Sequence, residues 1–257
     1  MKPWLRNTLL GVGGVVLVVI VALVGLVGWV ISSMPSSQGA RVEIREGLVG
    51  VDTGGSYAWI VQTEGGAVLV DAGMDPEATA LKAELAAMGL SPDDVHTVLL
   101  THAHGDHTAG LGQFPHATLV HGPNEAGLLY GTDVVLGPAP ALMAGMMSEP
   151  VLPAEVVEAS DGQILDLDGE QVTVVATPGH TLGSATYHWG DVIFVGDAVF
   201  NAGDDVMVSP SFLNSDDAAA QRSARRLGPL DAEWMADGHA GRTQGVDPML
   251  DALAAGS

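Results

Sequence analysis

Residues 101–110, THAHGDHTAG, place three histidines and an aspartate within six positions of a chain that has nine histidines in all. They follow VHTVLL, a β-branched apolar run that reads as a buried strand. Imidazole and carboxylate are zinc-type ligands, with Zn–N contacts of about 2.0–2.1 Å. His102 and His104, two apart on one short loop, can share an ion. Gly105 allows the backbone to turn sharply, and Asp106 and His107 then diverge and can hold a second ion. Three more polar residues end apolar strands in the same manner: His180 in VTVVATPGHTLG, Asp197 in DVIFVGDAVF and His239 in EWMADGHAG. Asp71 in AVLVDAG is a further strand-end acid. A lone buried histidine is usually structural, but five of nine histidines arranged in this way point to strand ends that converge on one rim.

Over about residues 41–245 the chain resembles the metallo-β-lactamase-fold superfamily, whose His-x-His-x-Asp-His pattern stands here as His102-Ala-His104-Gly-Asp106-His107. Asp71, His180 in TPGHTLGS, Asp197 in GD and His239 in GH follow the family order. The resemblance implies an α/β fold of αββα sandwich type with a binuclear site at one edge. It implies that His102, His104 and His180 hold one ion, that Asp106, His107 and His239 hold another, and that Asp197 bridges them. Asp71 then supports the histidine loop by hydrogen bonding rather than ligating. Two divalent ions about 3.5–4 Å apart share a water and acidify it toward neutral pH. The expected reaction is attack by that bridging hydroxide on an ester, thioester, lactone or amide-type carbonyl, with Asp106 and Asp197 as the catalytic carboxylates. The expected cofactor is two zinc ions, with iron or manganese as alternatives. No cysteine is present and no G-x-S-x-G elbow is found, so no protein nucleophile is required.

Within the superfamily several substrates are disfavoured. Glyoxalase II carries a helical domain for glutathione, whereas 18 residues follow His239 here. Lactone hydrolases commonly place a tyrosine where this chain has Phe200. β-Lactamases with this loop usually lack the bridging acid that Asp197 supplies. The expectation is a small stand-alone hydrolase. An iron-dependent oxygenase of the same fold, an anchored β-lactamase and a non-catalytic metal-binding protein are the alternatives.

The elements that position these residues read as alternating strands and helices. Tyr57–Gln62 and Ala67–Val70 are strands joined at Gly65-Gly66. DPEATALKAELAAMGL is a helix with Ala78, Leu81, Leu85 and Met88 on one face and Gly89 at its end. HTVLLTH and ATLVHG are strands, and His121 at the end of the latter is placed at the site rim as a support or substrate contact. Residues 131–155 read as irregular, with Leu142, Met143, Met146 and Met147 forming an apolar wall or lid, or a plain packing helix. GQILDLDGEQVTVVATPGH gives two strands and SATYHWGDVIFVGDAVF a hairpin turned at Gly190-Asp191. SDDAAAQRSARRLGPL is a helix capped by Ser215, and AEWMADGHAG is a last strand and loop. Tyr187, in a strand, is assigned to core packing rather than to an oxyanion.

Residues 8–31 form a 24-residue uncharged run, long enough as a helix to cross a bilayer. Trp4 and Trp29 flank it, and Lys2 and Arg6 precede it. By the positive-inside rule residues 1–7 are cytoplasmic, 8–31 a transmembrane anchor, 32–40 a linker and 41–257 an extracytoplasmic catalytic domain. A cleaved signal peptide is the rival reading. Residues 1–40 hold Lys2, Arg6 and no acids, so the remainder carries seven basic against 31 acidic side chains. That charge repels phosphate backbones and excludes nucleic acid as partner. The expected partner is a small molecule, amphiphilic if the anchor brings the domain to a membrane surface.

Overall fold

A computed structural model describes residues 37–133 and 149–256, all within the compact unit that runs from Ser36 to Ser257. The 8–31 span and the four apolar residues between 142 and 147 lie outside the described residues. Among the described residues no helix is long and apolar enough to cross a membrane.

Seven strands make the first sheet in sequence order. The first four form an antiparallel meander: β1 (Arg41–Arg45), β2 (Leu48–Asp52), β3 (Tyr57–Thr63) and β4 (Gly66–Val70). Helix α1 (Thr79–Ala87) then crosses over to β5 (Val95–Leu100), which pairs parallel to β4. Helix α2 (Gly105–Thr108) leads to β6 (Thr118–His121), and α3 (Ala126–Leu129) follows it; β6 and β7 (Glu155–Glu158) continue the parallel set. The second sheet holds β8 (Ile164–Leu167), β9 (Glu170–Ala176), β10 (Ala185–Trp189) and β11 (Val192–Gly196), all antiparallel. A small hairpin, β12 (Val199–Asn201) and β13 (Val206–Val208), stands apart. After α4 (Asp217–Arg225) come β14 (Trp234–Asp237), parallel to β11, and β15 (Arg242–Gln244), with α5 (Asp247–Ala255) last.

Strand alternation sorts the apolar residues into layers. Val68 and Val70 of β4 face inward, where Tyr57, Trp59 and Leu99 meet Val172, Val174, Tyr187 and Phe194 of the other sheet. Ala67 and Leu69 of the same strand face outward against Leu81 and Leu85 of α1. On the far side, Ile193, Val195 and Met235 pack with Ala224, Val246 and Leu250, which come from α4 and α5 or precede α5. The order helix, sheet, sheet, helix is the αββα arrangement. Each fully buried Leu or Phe in these layers contributes about 1.5–3 kcal/mol of transfer free energy.

Several element boundaries differ from the sequence reading. Helix α1 begins at Thr79, not Asp75, because Ala78 takes a left-handed φ of 46° and Asp75 accepts hydrogen bonds from the Glu77 and Thr79 amides. It ends as expected: Gly89 is left-handed at φ +78°, and the Leu90 amide reaches back to the Leu85 carbonyl at 2.8 Å. The cap of α4 is Asp216, which accepts from the Ala219 amide at 2.9 Å. Ser215 instead gives its amide to the His180 carbonyl. Glu155, read as the end of the irregular 131–155 segment, and residues 156–158, given no element, pair as β7, and β15 and α5 follow the expected last strand. Gly105 is not the sharp turn; His104, extended at φ −68° and ψ 150°, turns the chain directly into α2.

Candidate metal centre

Strands of both sheets deliver their polar ends to one edge. Asp71 follows β4, the 102–107 loop follows β5, His180 follows β9, Asp197 follows β11 and His239 follows β14. His102, His107, His180 and Asp197 are all buried, and His104 and His239 are partly so.

Each ring is aimed by what it bonds on its outer side. A carboxylate only accepts, so the His107 Nδ1–H donates to Asp71 Oδ2 at 2.8 Å and its Nε2 turns inward. His239 gives its Nδ1–H to the Gly55 carbonyl at 2.6 Å, with the same result. The Thr101 hydroxyl donates to Asp71 and stands 3.1 Å from His102 Nδ1, so it is free to accept from that ring. Asp71 also accepts from the Thr101 amide at 2.8 Å, which anchors the start of the loop. It does so from a left-handed φ of 63°, a conformation that a short acid tolerates.

The inner atoms then crowd one another. His102, His104 and His180 bring one ring nitrogen each within 4.8 Å of the others; Asp106, His107 and His239 do the same with one carboxylate oxygen and two ring nitrogens, as do His102, His107 and Asp197. His104 Nδ1 is 3.0 Å from His180 Nε2. Asp197 Oδ1 lies 3.4 Å from His107 Nε2, and its Oδ2 lies 3.5 Å from His180 Nε2 and 3.0 Å from His239 Nε2. His239 Nε2 and Asp106 Oδ2 are 3.5 Å apart. Ligands on a tetrahedral ion with bonds near 2.0–2.1 Å stand about 3.4 Å from each other. Among the described residues, His102 Nε2, His107 Nε2 and Asp197 Oδ1 are buried with no hydrogen-bond partner, a cost of about 1–3 kcal/mol each that a cation removes. The residues therefore fit divalent ions.

Charge divides the cluster. Burial, with the neighbouring imidazoles, pushes His102 well below its ordinary pKa and His104 down to about 3; burial also lowers His180. These three are neutral and ready to ligate. Burial works the same way on His107, but Asp106, Asp71 and Asp197 outweigh it and push that ring up to about 9. His239 likewise rises to about 10 against burial, chiefly through Asp197. Asp197 is held well below the carboxylate range by His239, His107 and His180, although burial opposes this. An ion entering the Asp106, His107 and His239 group must displace two protons; one entering the other group displaces none. Zinc binding to the former is expected to tighten steeply as pH rises from 6 to 8, with proton release, and binding to the latter to change little. Calorimetry in buffers of different ionisation enthalpy checks this; equal pH dependence of both binding steps would sink it.

Two buried acids escaped the sequence reading. Asp237 accepts from the amides of Asn201, His239, Ala240 and Gly241, and so shapes the turn that carries His239; burial still pushes it up to about 6. Glu125 accepts from the Ala103 amide and the Thr181 hydroxyl; burial pushes it up to about 7. The signal was present, since Asp237 ends β14 two residues before His239 and Glu125 follows His121 in a Gly-Pro-Asn turn. Conversely, the His121 ring bonds the neighbouring Gly122 carbonyl and not a ligand residue. Tyr187 is core, its hydroxyl donating to the Leu100 and Val120 carbonyls. Phe200 is fully buried, with its ring 5.8 Å from that of His239. Gly238 is required sterically: a methyl there would fall on Asp197 Oδ1 and lie 2.8 Å from His107 Cε1. Gly238→Ala is expected to fold but to lose about tenfold or more in metal affinity, as disturbed ligand positioning does; metal titration with a chelator competitor measures it.

The Metallo-beta-lactamase superfamily profile matches residues 51–239. The chain belongs to that superfamily. A hydroxyacylglutathione hydrolase of Acidiphilium cryptum is 33% identical over 211 residues, covering 78% of this chain and 73% of the relative. Human metallo-beta-lactamase domain-containing protein 1 is 32% identical, covering 76% and 65%. The chain spans about half the length of other hydroxyacylglutathione hydrolases it matches, such as that of Aeromonas hydrophila, at 32% identity over 58% of this chain and 48% of the relative. Among solved structures, a metallo-beta-lactamase family protein of Thermus thermophilus superposes with a TM-score of 0.65 at 24% identity, over 83% of this chain and 80% of its own. Metallo-beta-lactamase SMB-1 superposes with a TM-score of 0.61 at 26% identity, over 79% and 81%. This chain shares the superfamily's fold and carries His and Asp groups that could hold metal ions.

Proposed function

We propose that the site holds two zinc-type ions and hydrolyses a small carbonyl substrate of ester, thioester or lactone type. The observation that carries this reading is the set of inward-facing ring nitrogens and carboxylate oxygens at 3.0–3.7 Å spacing, several with no hydrogen-bond partner among the described residues. His102, His104 and His180 would hold one ion, and Asp106, His107 and His239 the other. Asp197, whose two oxygens face rings of both groups, would join them. When bound, such a pair acidifies a shared water and polarises the attacked carbonyl. The residues of the chain keep the ligands fixed and the surroundings dry. Asp71 and Gly55 set the tautomers of His107 and His239, and Phe200 walls off the His239 side.

Thioesters come first among substrates, because the named relatives that match over most of this chain include a hydroxyacylglutathione hydrolase. Elemental analysis of the purified protein, with a hydrolysis screen over thioesters, lactones, esters and β-lactams, tests the reading. Two ions per chain with thioester or ester turnover supports it. One tightly held iron and no second ion would move the protein to oxygen chemistry. We also propose that residues 8–31 anchor the enzyme with its catalytic domain outside the cytoplasm, on the strength of the uncharged span and the preceding Lys2 and Arg6. Protease shaving of intact cells is expected to release the domain; protection until lysis would overturn the placement.

A further inference from the structure

Glu125 lies outside the proposed ligand set, between the end of β6 and the start of α3. It is 1% exposed. One carboxylate oxygen accepts from the amide of Ala103, the residue between His102 and His104, at 2.5 Å. The other accepts from the hydroxyl of Thr181, the residue after His180, at 2.9 Å. The Gly183 amide also points at the carboxylate. Ser184 completes the second loop: its hydroxyl accepts from the Thr181 amide at 3.0 Å and sits 2.7 Å from the Thr181 hydroxyl. The backbones approach so closely that a methyl on Gly183 would fall on the Glu125 amide, and one on Gly122 would lie 2.7 Å from the Gly183 carbonyl.

We propose that Glu125 is a positioning residue that ties the loop bearing His102 and His104, on the first sheet, to the loop bearing His180, on the second, and so sets the geometry of one metal group. This rests on the metal-site reading above. The physical case lies in the cost of the residue. A buried carboxylate satisfied by neutral donors is an expensive brace where packing alone could use an apolar side chain. All three donors come from the two ligand-bearing loops. A carboxylate has acceptor sites on both oxygens and can serve both loops at once, whereas an amide offers one accepting oxygen. Glu125→Gln keeps the shape but replaces one acceptor with an NH₂, so the Ala103 amide keeps its acceptor only if the Thr181 hydroxyl gives up its bond to residue 125 and turns to Ser184.

Cobalt(II) titration of the full chain, read by visible absorption and by competition with a chelator, tests the proposal. The wild-type chain is expected to load its tighter class first with a tetrahedral spectrum. In Glu125→Gln that class is expected to bind about 10- to 100-fold more weakly, with a changed cobalt spectrum, the range seen when groups that orient ligands are removed. Thr181→Val removes a single donor and leaves Glu125 in place, so the proposal stays testable if Glu125→Gln does not fold; a loss of at least about threefold is expected there. Glu125→Gln binding cobalt as tightly as wild type with an unchanged spectrum, even at lowered thermal stability, would overturn the proposal and make Glu125 a plain structural brace. Should Glu125→Gln not fold, Thr181→Val with unchanged cobalt affinity and spectrum would overturn it equally. A wild-type chain that takes up no cobalt would instead sink the metal-site reading itself.

Discussion

Asp197→Asn is expected to lower turnover on the order of 10²- to 10³-fold, as removal of a preorganised electrostatic group does. The change keeps the size of the side chain and removes a negative charge that faces both metal groups. An amide would also present an NH₂ to His107, 3.4 Å from Oδ1, or to His180 and His239, 3.5 and 3.0 Å from Oδ2. The ion on the Asp106, His107 and His239 side should be lost first, because that group relies most on negative charge. Raised pH and added zinc should restore part of the rate, since one ion acidifies water less than two. Turnover against pH and zinc, with metal content measured in parallel, decides the matter. Near-normal activity at neutral pH with both ions retained would make Asp197 a structural strand-end acid.

Asp71→Ala should have the largest effect on stability. Three buried donors lose their acceptor together: the Thr101 amide, the Thr101 hydroxyl and the His107 Nδ1–H. Each buried group left unpaired costs about 1–3 kcal/mol. Alanine at φ +63° adds about 1 kcal/mol of backbone strain that aspartate or asparagine partly avoids. The metal-free protein is expected to melt at least about 10 °C lower, taking about 2–4 °C per kcal/mol for a domain of this size. Metal affinity should fall about 10- to 100-fold as His107 loses its orientation. Asp71→Asn, which keeps one acceptor and tolerates the backbone, should fall between the two. Calorimetric melting of the three proteins checks the order; Asp71→Ala melting with wild type would remove Asp71 from the account.

The fold and the centre were legible in the sequence to different depths. The layers could be read because apolar runs ending in Asp71, His102, His180, Asp197 and His239, most of them β-branched, mark strands by both composition and function. Gly89 could be read because a helix end needs its left-handed backbone. Short elements could not: β7, with Val156 and Val157 between two glutamates, has too few alternations to declare a strand without its neighbour β6. The start of α1 escapes the pattern because Ala78, an excellent helix former, is left-handed while Asp75 holds the turn before it. His121 draws attention by residue type, yet its neighbour Glu125 makes the bonds to the ligand loops. Which of two polar residues in a turn reaches inward depends on the backbone path after β6. That path is set by packing against residues 183–185, about 60 positions along the chain.

The two sheets are each continuous in sequence, the first drawn from residues 41–158 and the second from 164–244. Either can complete its strand pairing before the other exists. The metal groups cannot, because His102 and His104 belong to one sheet and His180 to the other. A nascent chain that has emerged only through β7 would expose the interior face of its sheet with an incomplete set of ligands, and any ion captured there would be loosely held. With the proposed ions bound, metal retention would act as a checkpoint on assembly: the ions would fasten two independently knitted halves along their shared edge, and a chelator would act on the seam of the protein as well as on its chemistry.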